Sequence, residues 1–337
     1  MRQAVLSAAL ALTLVFGGQW LLAEPTDREA EPQTAEQTRE EPGKTLDGEA
    51  VLQVFDGEKT VEMTMAEYLP GVVRGEMPAS FEEEALKAQA VAERTFIYYH
   101  MAGGRKAAHP EADACMDHRC CNAWTAADKA AEKWGDKAAE YEEKIQKAVR
   151  ETDGQVMLYD GKPILAAFHS SSAGVTASSG DVWVTDLPYL KSVESPEGEG
   201  SVPNYYSVNT FTGQQLREKV LESYPEAVLE GPAEGWITDV TENGSGRVES
   251  LRLGGVLLKG TQVRSLLGLR SACFTVESGA DSVTFRVTGY GHGVGMSQYG
   301  ANELARQGKD WQEILQWYYQ GISICSMEQR NGGGFSD

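Results

Sequence analysis

The sequence has few basic residues and few cysteines. Its 337 residues contain 30 Lys and Arg against 50 Asp and Glu, which gives a formal charge of -20. A chain with that balance is not attracted to a phosphate backbone, so nucleic acid is excluded as a partner. No two of its five cysteines show the two-residue spacing typical of a zinc finger. No internal repeat is present, which excludes a repeat array.

Enough apolar sequence is present for a folded protein. Hydrophobic residues make up 41% of the chain and aromatic residues 9%, which suffices for one large core or two modest ones. Because no linker-like stretch follows residue 50, we expect a single α+β domain over residues 50–325, with a flexible tail at 326–337.

The N-terminal segment differs in composition from the rest. Residues 4–23 carry no charge, and about 20 apolar residues suffice to cross a bilayer. The bulky residues 20–22 at the end of this run favour a retained anchor at 1–23, although cleavage after Ala23 is an alternative. Arg2 before the run and acidic residues after it predict that the remaining chain lies outside the cytoplasm.

Residues 24–49 follow this segment and have almost nothing that could form a core. They contain nine acidic residues, three basic residues and three prolines. This composition predicts a disordered acidic stalk, which would hold a domain several nanometres from a membrane.

Capping pairs and short apolar runs indicate the elements of the domain. Thr64 with Glu67 and Ser80 with Glu83 predict two helix starts, with Pro70 limiting or kinking the first helix. Further helices are predicted at 126–150, 296–307 and 311–319, and short ones after Thr212 and Thr261. Strands are predicted at 51–55, 60–63, 156–159, 163–168, 205–211, 237–241, 248–253, 274–277 and 283–287.

Three blocks of sequence carry a family resemblance. The first reads YLPGVVRGEMPASF at 68–81 and continues EALKAQAVAERTF at 84–96. The second reads FHSSSAG at 168–174, followed by GDVW at 180–183, and the third reads GYGHGVGMSQYGA at 289–301. Together they closely resemble the stage II sporulation protein D family of lytic transglycosylases. The resemblance spans about residues 50–320.

The resemblance implies that Glu76 is the catalytic residue. It lies in a predicted bend between two helices, next to Met77, whose backbone Pro78 favours in an extended form. A hydrolase normally needs two carboxyl groups, whereas a lytic transglycosylase uses the substrate's own C6 hydroxyl as nucleophile. One carboxyl can then act first as acid and then as base, which requires a pKa raised by apolar surroundings.

The same blocks suggest residues that contact sugar. His169 and Ser170 cannot pair as base and nucleophile, because adjacent strand residues point to opposite faces. The serines that follow His169 are hydroxyl donors lining a groove, or a loop that satisfies its own backbone. His292 lies among glycines and is either a saccharide contact or a buried histidine in a tight turn. The predicted substrate-binding residues are Arg94, His169, Ser170, Ser171, His292, Ser297, Gln298 and Tyr299.

A cluster of histidines and cysteines suggests a metal site. Some members of the family bind zinc through a cysteine pair at the spacing of Cys115 and Cys121, and we predict that His109 completes the set as the third ligand. The ion would be structural, since the chemistry assigned to Glu76 requires no cofactor. A disulfide is the main alternative in an extracytoplasmic compartment. Cys273 and Cys325 are predicted to be core residues or a second pair.

The resemblance also implies a biological setting. Such proteins act at the mother-cell membrane during engulfment of the forespore, with the amidase stage II sporulation protein P and the scaffold stage II sporulation protein M. Their preferred substrate is peptidoglycan glycan stripped of stem peptides, cut to leave 1,6-anhydromuramic ends. The alternative is a non-catalytic wall-binding enhancer of a cell-wall amidase. A zinc-dependent hydrolase is a third possibility.

Overall fold

A computed structural model describes residues 45–327. The predicted anchor at 1–23 and most of the predicted stalk lie outside these residues, as does the tail beyond 327. Within residues 45–327, no helix combines the length and apolar character needed to cross a bilayer. The described part is a mixed α+β structure, in agreement with the predicted class.

The helices and strands occur in short runs of one type along residues 45–327. The α-helices of residues 45–327 are α1 (Leu46–Glu49), α2 (Met65–Glu76), α3 (Glu83–Gly103), α4 (Ala127–Trp134), α5 (Ala138–Glu151), α6 (Ser179–Val182), α7 (Gly213–Ser223), α8 (Gly260–Leu267), α9 (Gln298–Arg306) and α10 (Trp311–Tyr318). The strands are β1 (Val51–Phe55), β2 (Thr60–Thr64), β3 (Ala114–Cys115), β4 (Gln155–Tyr159), β5 (Lys162–Pro163), β6 (Phe168–His169), β7 (Tyr206–Thr212), β8 (Ile237–Glu242), β9 (Val248–Leu253), β10 (Val256–Lys259), β11 (Phe274–Ser278), β12 (Ser282–Thr288), β13 (Met296–Ser297) and β14 (Ser323–Ser326). Short 3₁₀ turns occupy Gly135–Lys137 and Ala233–Gly235.

The first of two hydrophobic cores surrounds α3. Alanines along this helix, such as Ala88 and Ala92, are fully buried, so neighbouring helices and β4 approach closely. The core is formed by residues 45–205 and 289–327, which we call the helical region. Its small sheets have the orders β2-β1-β3, β14-β4-β5 and β13-β6.

Helix starts in the helical region agree only in part with the prediction. The capping box of Thr64 and Glu67 is confirmed, and α2 continues through Pro70 to Glu76. The predicted box at Ser80 is wrong, because α3 starts after Glu82 without a side-chain cap. Asn302 from α9 instead accepts a hydrogen bond from the Glu82 N–H at 2.8 Å. A tertiary contact therefore replaces the expected local cap.

The folded part starts earlier than predicted. Residues 45–49, assigned from sequence to the disordered stalk, contain α1, and its Asp47 is buried. Asp47 forms a bidentate ion pair with the fully buried Arg94, at 2.8 and 2.6 Å. This pair ties the start of the folded chain to the middle of α3.

The second core lies between two three-stranded antiparallel sheets and two helices. The sheets have the strand orders β11-β12-β7 and β10-β9-β8. Leu251 and Phe285 are fully buried in this core, which we call the sheet region (residues 206–288). The predicted cap at Thr212 is confirmed, and the structure adds a capping box with Gln215, whereas the predicted cap at Thr261 is wrong because α8 already begins at Gly260.

The glycine-rich segment 289–295 returns the chain from the sheet region to the helical region. Gly289, with φ of 75°, donates its N–H to the Tyr205 carbonyl at 2.9 Å. A Cβ at Gly293 would lie 2.3 Å from the guanidinium of Arg247, so only glycine allows this arginine to cross between the regions. Arg247 donates to the Val175 carbonyl at 3.0 Å. Close contacts between the backbone of this segment and neighbouring groups thus hold it in place.

Candidate active site and metal centre

Glu76 is the last residue of α2. The helix ends there because Met77 is extended, with φ of -121° and ψ of 137°, ahead of Pro78. The location in a bend between two helices agrees with the prediction. The side chain of Glu76 is held from outside the helix, because the Ala123 N–H donates to its Oε1 at 2.5 Å.

Two glycines of α2 allow that contact. A Cβ at Gly71 would lie 2.0 Å from Nε1 of Trp124, and one at Gly75 would lie 2.3 Å from the Ala123 carbonyl oxygen. The loop carrying Ala123 therefore lies directly on the helix backbone. The Trp124 ring fixes it there by donating to the Tyr68 carbonyl at 3.2 Å.

Burial dominates the electrostatics of Glu76. It raises the pKa of this carboxyl, while the Ala123 N–H, the charge of His118 and the amide of Gln298 each lower it by smaller amounts. The net effect is upward, so the acid form persists to higher pH than in an exposed glutamate. This is the environment that a general acid requires.

A second carboxyl, Glu93 of α3, lies near Glu76 but is fully buried. Gln89 donates to it at 2.8 Å, and the Asn122 amide donates to its other oxygen. Burial and then the charge of Glu76 raise its pKa well above the usual range. Because its side chain has no exposed surface, Glu93 cannot touch a substrate in this conformation.

Glu76 opens into a cleft of about 470 Å³. A cavity of that size lies within the range of small-molecule sites. Aromatic rings and polar groups share its wall, a combination that suits a sugar. The lining residues are Glu76, Phe96, His100, Lys106, His118, Cys120, Cys121, Asn122, Leu165, Ala166, Ala167, Phe168, Trp183 and His292.

The two histidines of the predicted site differ in position. His292 lines the cleft, with its ring 5.5 Å from that of Trp183, and burial lowers its pKa to about 4, so it is neutral at pH 7. His169 is buried behind it, with Nε2 2.7 Å from the Ser172 hydroxyl and Nδ1 3.2 Å from the Val294 carbonyl. Both ring nitrogens of His169 are thus occupied by neighbouring groups of the fold, which gives this residue a structural role.

The predicted serines also differ. The Ser170 carbonyl accepts the Tyr299 N–H at 3.1 Å, which joins the second and third sequence blocks. Ser171 is buried, and its hydroxyl has no hydrogen-bond partner among residues 45–327. Ser297 caps α9 by accepting the Gly300 N–H at 3.2 Å.

The two residues after Ser297 lie close to the Glu76 segment. Gln298 is buried, lowers the pKa of Glu76, and has an amide nitrogen without a hydrogen-bond partner among the described residues. Tyr299 packs edge-on against Phe81, with ring centroids 4.9 Å apart. The Gln298 amide is therefore buried beside the Glu76 carboxyl.

Arg94 does not belong with this group. Its guanidinium is fully buried and is occupied by Asp47 and by the Gln155 carbonyl at 3.1 Å. A side chain without exposed surface contacts no ligand, so the structure assigns Arg94 a role in stability in place of the predicted substrate contact.

The histidine and cysteine residues meet as predicted, with one addition. The ligand atoms of His109, Cys115, Cys120 and Cys121 all lie within 4.8 Å of one another. The Nδ1 of His109 is 3.0 Å from the Ala112 carbonyl, so it carries the proton and leaves Nε2, 3.3 Å from Cys121 Sγ, free to bind. Cys115, Cys120 and Cys121 form no disulfide in this structure. One imidazole and three sulfurs form a donor set that fits tetrahedral zinc.

Comparisons with known proteins agree with the sequence blocks. The family model described as "SpoIID: Stage II sporulation protein" matches residues 56–159. Stage II sporulation protein D of Bacillus subtilis (strain 168) is 39% identical over 268 residues, covering 78% of this chain and 75% of the relative. The chain belongs to the stage II sporulation protein D family. The Bacillus amyloliquefaciens protein of that name is 36% identical over the same shares of both chains. A Bacillus subtilis "Amidase enhancer" is 28% identical over 310 residues, covering 77% of this chain and 40% of that relative.

Several residues of the candidate site were not predicted from the sequence. Trp183 lines the cleft and could have been selected, because it ends a block that was already recognised. Cys120 follows Cys115 after four intervening residues, a spacing used by zinc sites. The Ala123 N–H carries no side-chain signal, and Glu197, described below, lies outside every block.

Proposed function

We propose that this protein is a peptidoglycan lytic transglycosylase with Glu76 as its acid and base. The observation that carries the proposal is the Glu76 carboxyl, which lines the cleft, has a pKa raised by burial and is held by the Ala123 N–H. Family membership supports an action on the cell wall.

The reaction needs two proton transfers through one carboxyl. Protonated Glu76 gives its proton to the oxygen between N-acetylmuramic acid and N-acetylglucosamine, and the bond from that oxygen to C1 of the muramic residue breaks. The C6 hydroxyl of that residue attacks C1, and its proton passes to the Glu76 carboxylate. This closes a 1,6-anhydro ring and restores the acid. The Ala123 N–H stabilises the carboxylate between the two transfers.

A zinc ion is proposed at the His109, Cys115, Cys120 and Cys121 cluster. Four protein ligands would leave no open position, which is typical of a structural ion. When bound, the ion would supply a cross-link of the loop between α3 and α4. In residues 120–123 of that loop, Asn122 donates to Glu93 and the Ala123 N–H donates to Glu76. The cross-link would therefore influence the site only by holding these two donors in place.

A second candidate is a non-catalytic enhancer of a cell-wall amidase. The likeness to the Bacillus subtilis amidase enhancer favours it. In that case, the cleft would bind glycan without cutting it. A zinc-dependent hydrolase is less favoured, because the four-ligand cluster offers no position for an activated water.

The proposed setting follows from the family. We place the chain at the mother-cell membrane during engulfment, held by residues 1–23 with the folded part outside the cytoplasm. Its proposed partners are the amidase stage II sporulation protein P and the scaffold stage II sporulation protein M. Its proposed substrate is glycan stripped of stem peptides.

The deciding experiment is product analysis by mass spectrometry. The detergent-purified full-length chain is incubated with glycan strands, with and without stem peptides. We expect 1,6-anhydro ends, and a loss of about 10²- to 10⁴-fold in rate for Glu76→Gln, with exposed Glu58→Gln as matched control. Ordinary reducing ends would indicate a hydrolase. Binding without cleavage would favour the amidase enhancer.

A further inference from the structure

Glu197 is a buried carboxylate that none of the sequence blocks contains. It is 4% exposed. The Ser172 N–H donates to it at 2.6 Å and the Ser195 hydroxyl at 2.5 Å, while the Ser297 hydroxyl donates to the same oxygen as Ser172. A buried carboxyl group is costly unless such donors replace water. These bonds therefore indicate a carboxyl group held in one position inside the helical region.

The donors come from separate parts of the chain. Ser172 belongs to the second sequence block and Ser297 to the third, whose neighbours His292 and Gln298 lie at the cleft and beside Glu76. Ser195 also contacts the hydroxyl of Tyr318 in α10 at 2.8 Å. One carboxylate thus joins both blocks to the last helix of the core.

Glu197 also lies against the first turn of α9. A Cβ at Gly300 would lie 2.6 Å from its Oε2 and closer still to the hydroxyls of Tyr318 and Ser195, so a larger residue there would displace this cluster. Ser297, which donates to Glu197, accepts the Gly300 N–H and caps the helix. A negative charge at a helix N-terminus is favourable, because unpaired N–H groups point toward it.

The first residue of α9 is Gln298. Its amide is buried near the Glu76 carboxyl, and its Nε2 has no partner among residues 45–327. Because this nitrogen has no accessible surface in this conformation, the group on which it can act is the Glu76 carboxyl, whose pKa it lowers. The place of the amide depends on the start of α9, which the Ser297 cap sets.

We propose that Glu197 is a positioning residue, which fixes the start of α9 so that the Gln298 amide is held beside the Glu76 carboxyl. The inference rests on the proposed function, because it assigns Gln298 to the same reaction. Glu197 touches no substrate, since it is buried and acts through Ser297.

The first test is kinetic and uses Glu197→Gln, which keeps the shape of the side chain and removes its charge. Exposed Glu199→Gln is the matched control, two residues away. We expect kcat to fall roughly 10- to 100-fold in Glu197→Gln with KM little changed, because a misplaced catalytic geometry costs that much. The control should match the wild type. A Glu197→Gln protein that is folded and has full kcat would overturn the proposal.

The second test asks whether Glu197 acts through Gln298. In a double-mutant cycle, Glu197→Gln should have little further effect on kcat once Gln298 is replaced by alanine. If the two losses multiply, Glu197 does not work through Gln298 and the assignment is wrong.

The third test needs no catalysis, so it separates this inference from the proposed function. The side-chain amide signal of Gln298 in ¹⁵N NMR of the detergent-solubilised full chain is assigned by its loss in Gln298→Ala. We expect this signal and the Gly300 amide signal to shift in Glu197→Gln and to stay in place in Glu199→Gln. Unshifted signals would reject the positioning role even if cleavage is observed. A shift without any wild-type cleavage would reject the proposed function and retain the contact.

Discussion

The helical region and the sheet region are built differently inside. The helical region buries ionisable side chains, among them Glu93, Arg94 and Glu197, whereas Arg247 is the buried acidic or basic side chain of the sheet region. Arg247 itself reaches into the helical region. Buried polar groups cost stability unless they are paired, and proteins keep them where function requires them. The comparison teaches that the helical region, which contains the proposed catalytic site, buries the polar groups, while the sheet region is held by apolar burial.

The largest effect should come from breaking the ion pair of the helical region. Asp47→Ala leaves the Arg94 charge buried and unpaired, so we expect a loss of about 3–5 kcal/mol in the free energy of unfolding. Urea denaturation measures it, with exposed Asp136→Ala as control. A loss no greater than that of the control would mean that this pair does not hold the region together.

An apolar truncation in the sheet region should separate stability from activity. Leu251→Ala removes a fully buried side chain, and we expect a loss of about 2–5 kcal/mol. The rate of glycan cleavage per folded molecule should stay at the wild-type value. If the rate per folded molecule falls, the sheet region takes part in the reaction and the contrast between the two regions fails.

The helical region and the sheet region should also differ in zinc binding, which cysteine substitutions can test. Cys120→Ser removes one sulfur of the proposed zinc site, and we expect zinc affinity to fall by about 10- to 100-fold, a range seen even for outer ligand partners. Cys273→Ser in the sheet region is the control. Competition with a chromophoric chelator gives both affinities. Equal affinities in the two variants would remove Cys120 from the ligand set.

The smallest effect concerns pH. Glu76 must be protonated to act as acid, so kcat should fall as pH rises through its pKa, which burial raises. Gln298 lowers that pKa, so Gln298→Ala should move the falling limb to higher pH. Exposed Gln214→Ala in the sheet region should leave the limb in place. A shift to lower pH would show that the amide does not favour the carboxylate.

The features that were predicted correctly from the sequence are those that depend on residues close together in the chain. The Thr64 capping box, the Thr212 cap and the bend at Glu76 depend on neighbouring residues, and all were found. The Ser80 box failed because α3 starts only after Glu82, whose N–H donates to Asn302, 220 residues away. The burial of Arg94 depends on Asp47, which lies in a segment too acidic to suggest folding. Contacts between distant segments leave no periodic pattern to read.

The pairing of β7 with β12 has a consequence for how the chain is assembled. Tyr206 and Thr288, the first and last residues of the sheet region, are direct partners in this ladder. The chain thus leaves and re-enters the helical region at neighbouring points, as an inserted module does. Insertions or deletions at the far end of that module would leave the spacing between Tyr205 and Gly289 unchanged, because the Gly289 N–H already bonds to the Tyr205 carbonyl. The glycine-rich segment can therefore keep its place while the module changes in size.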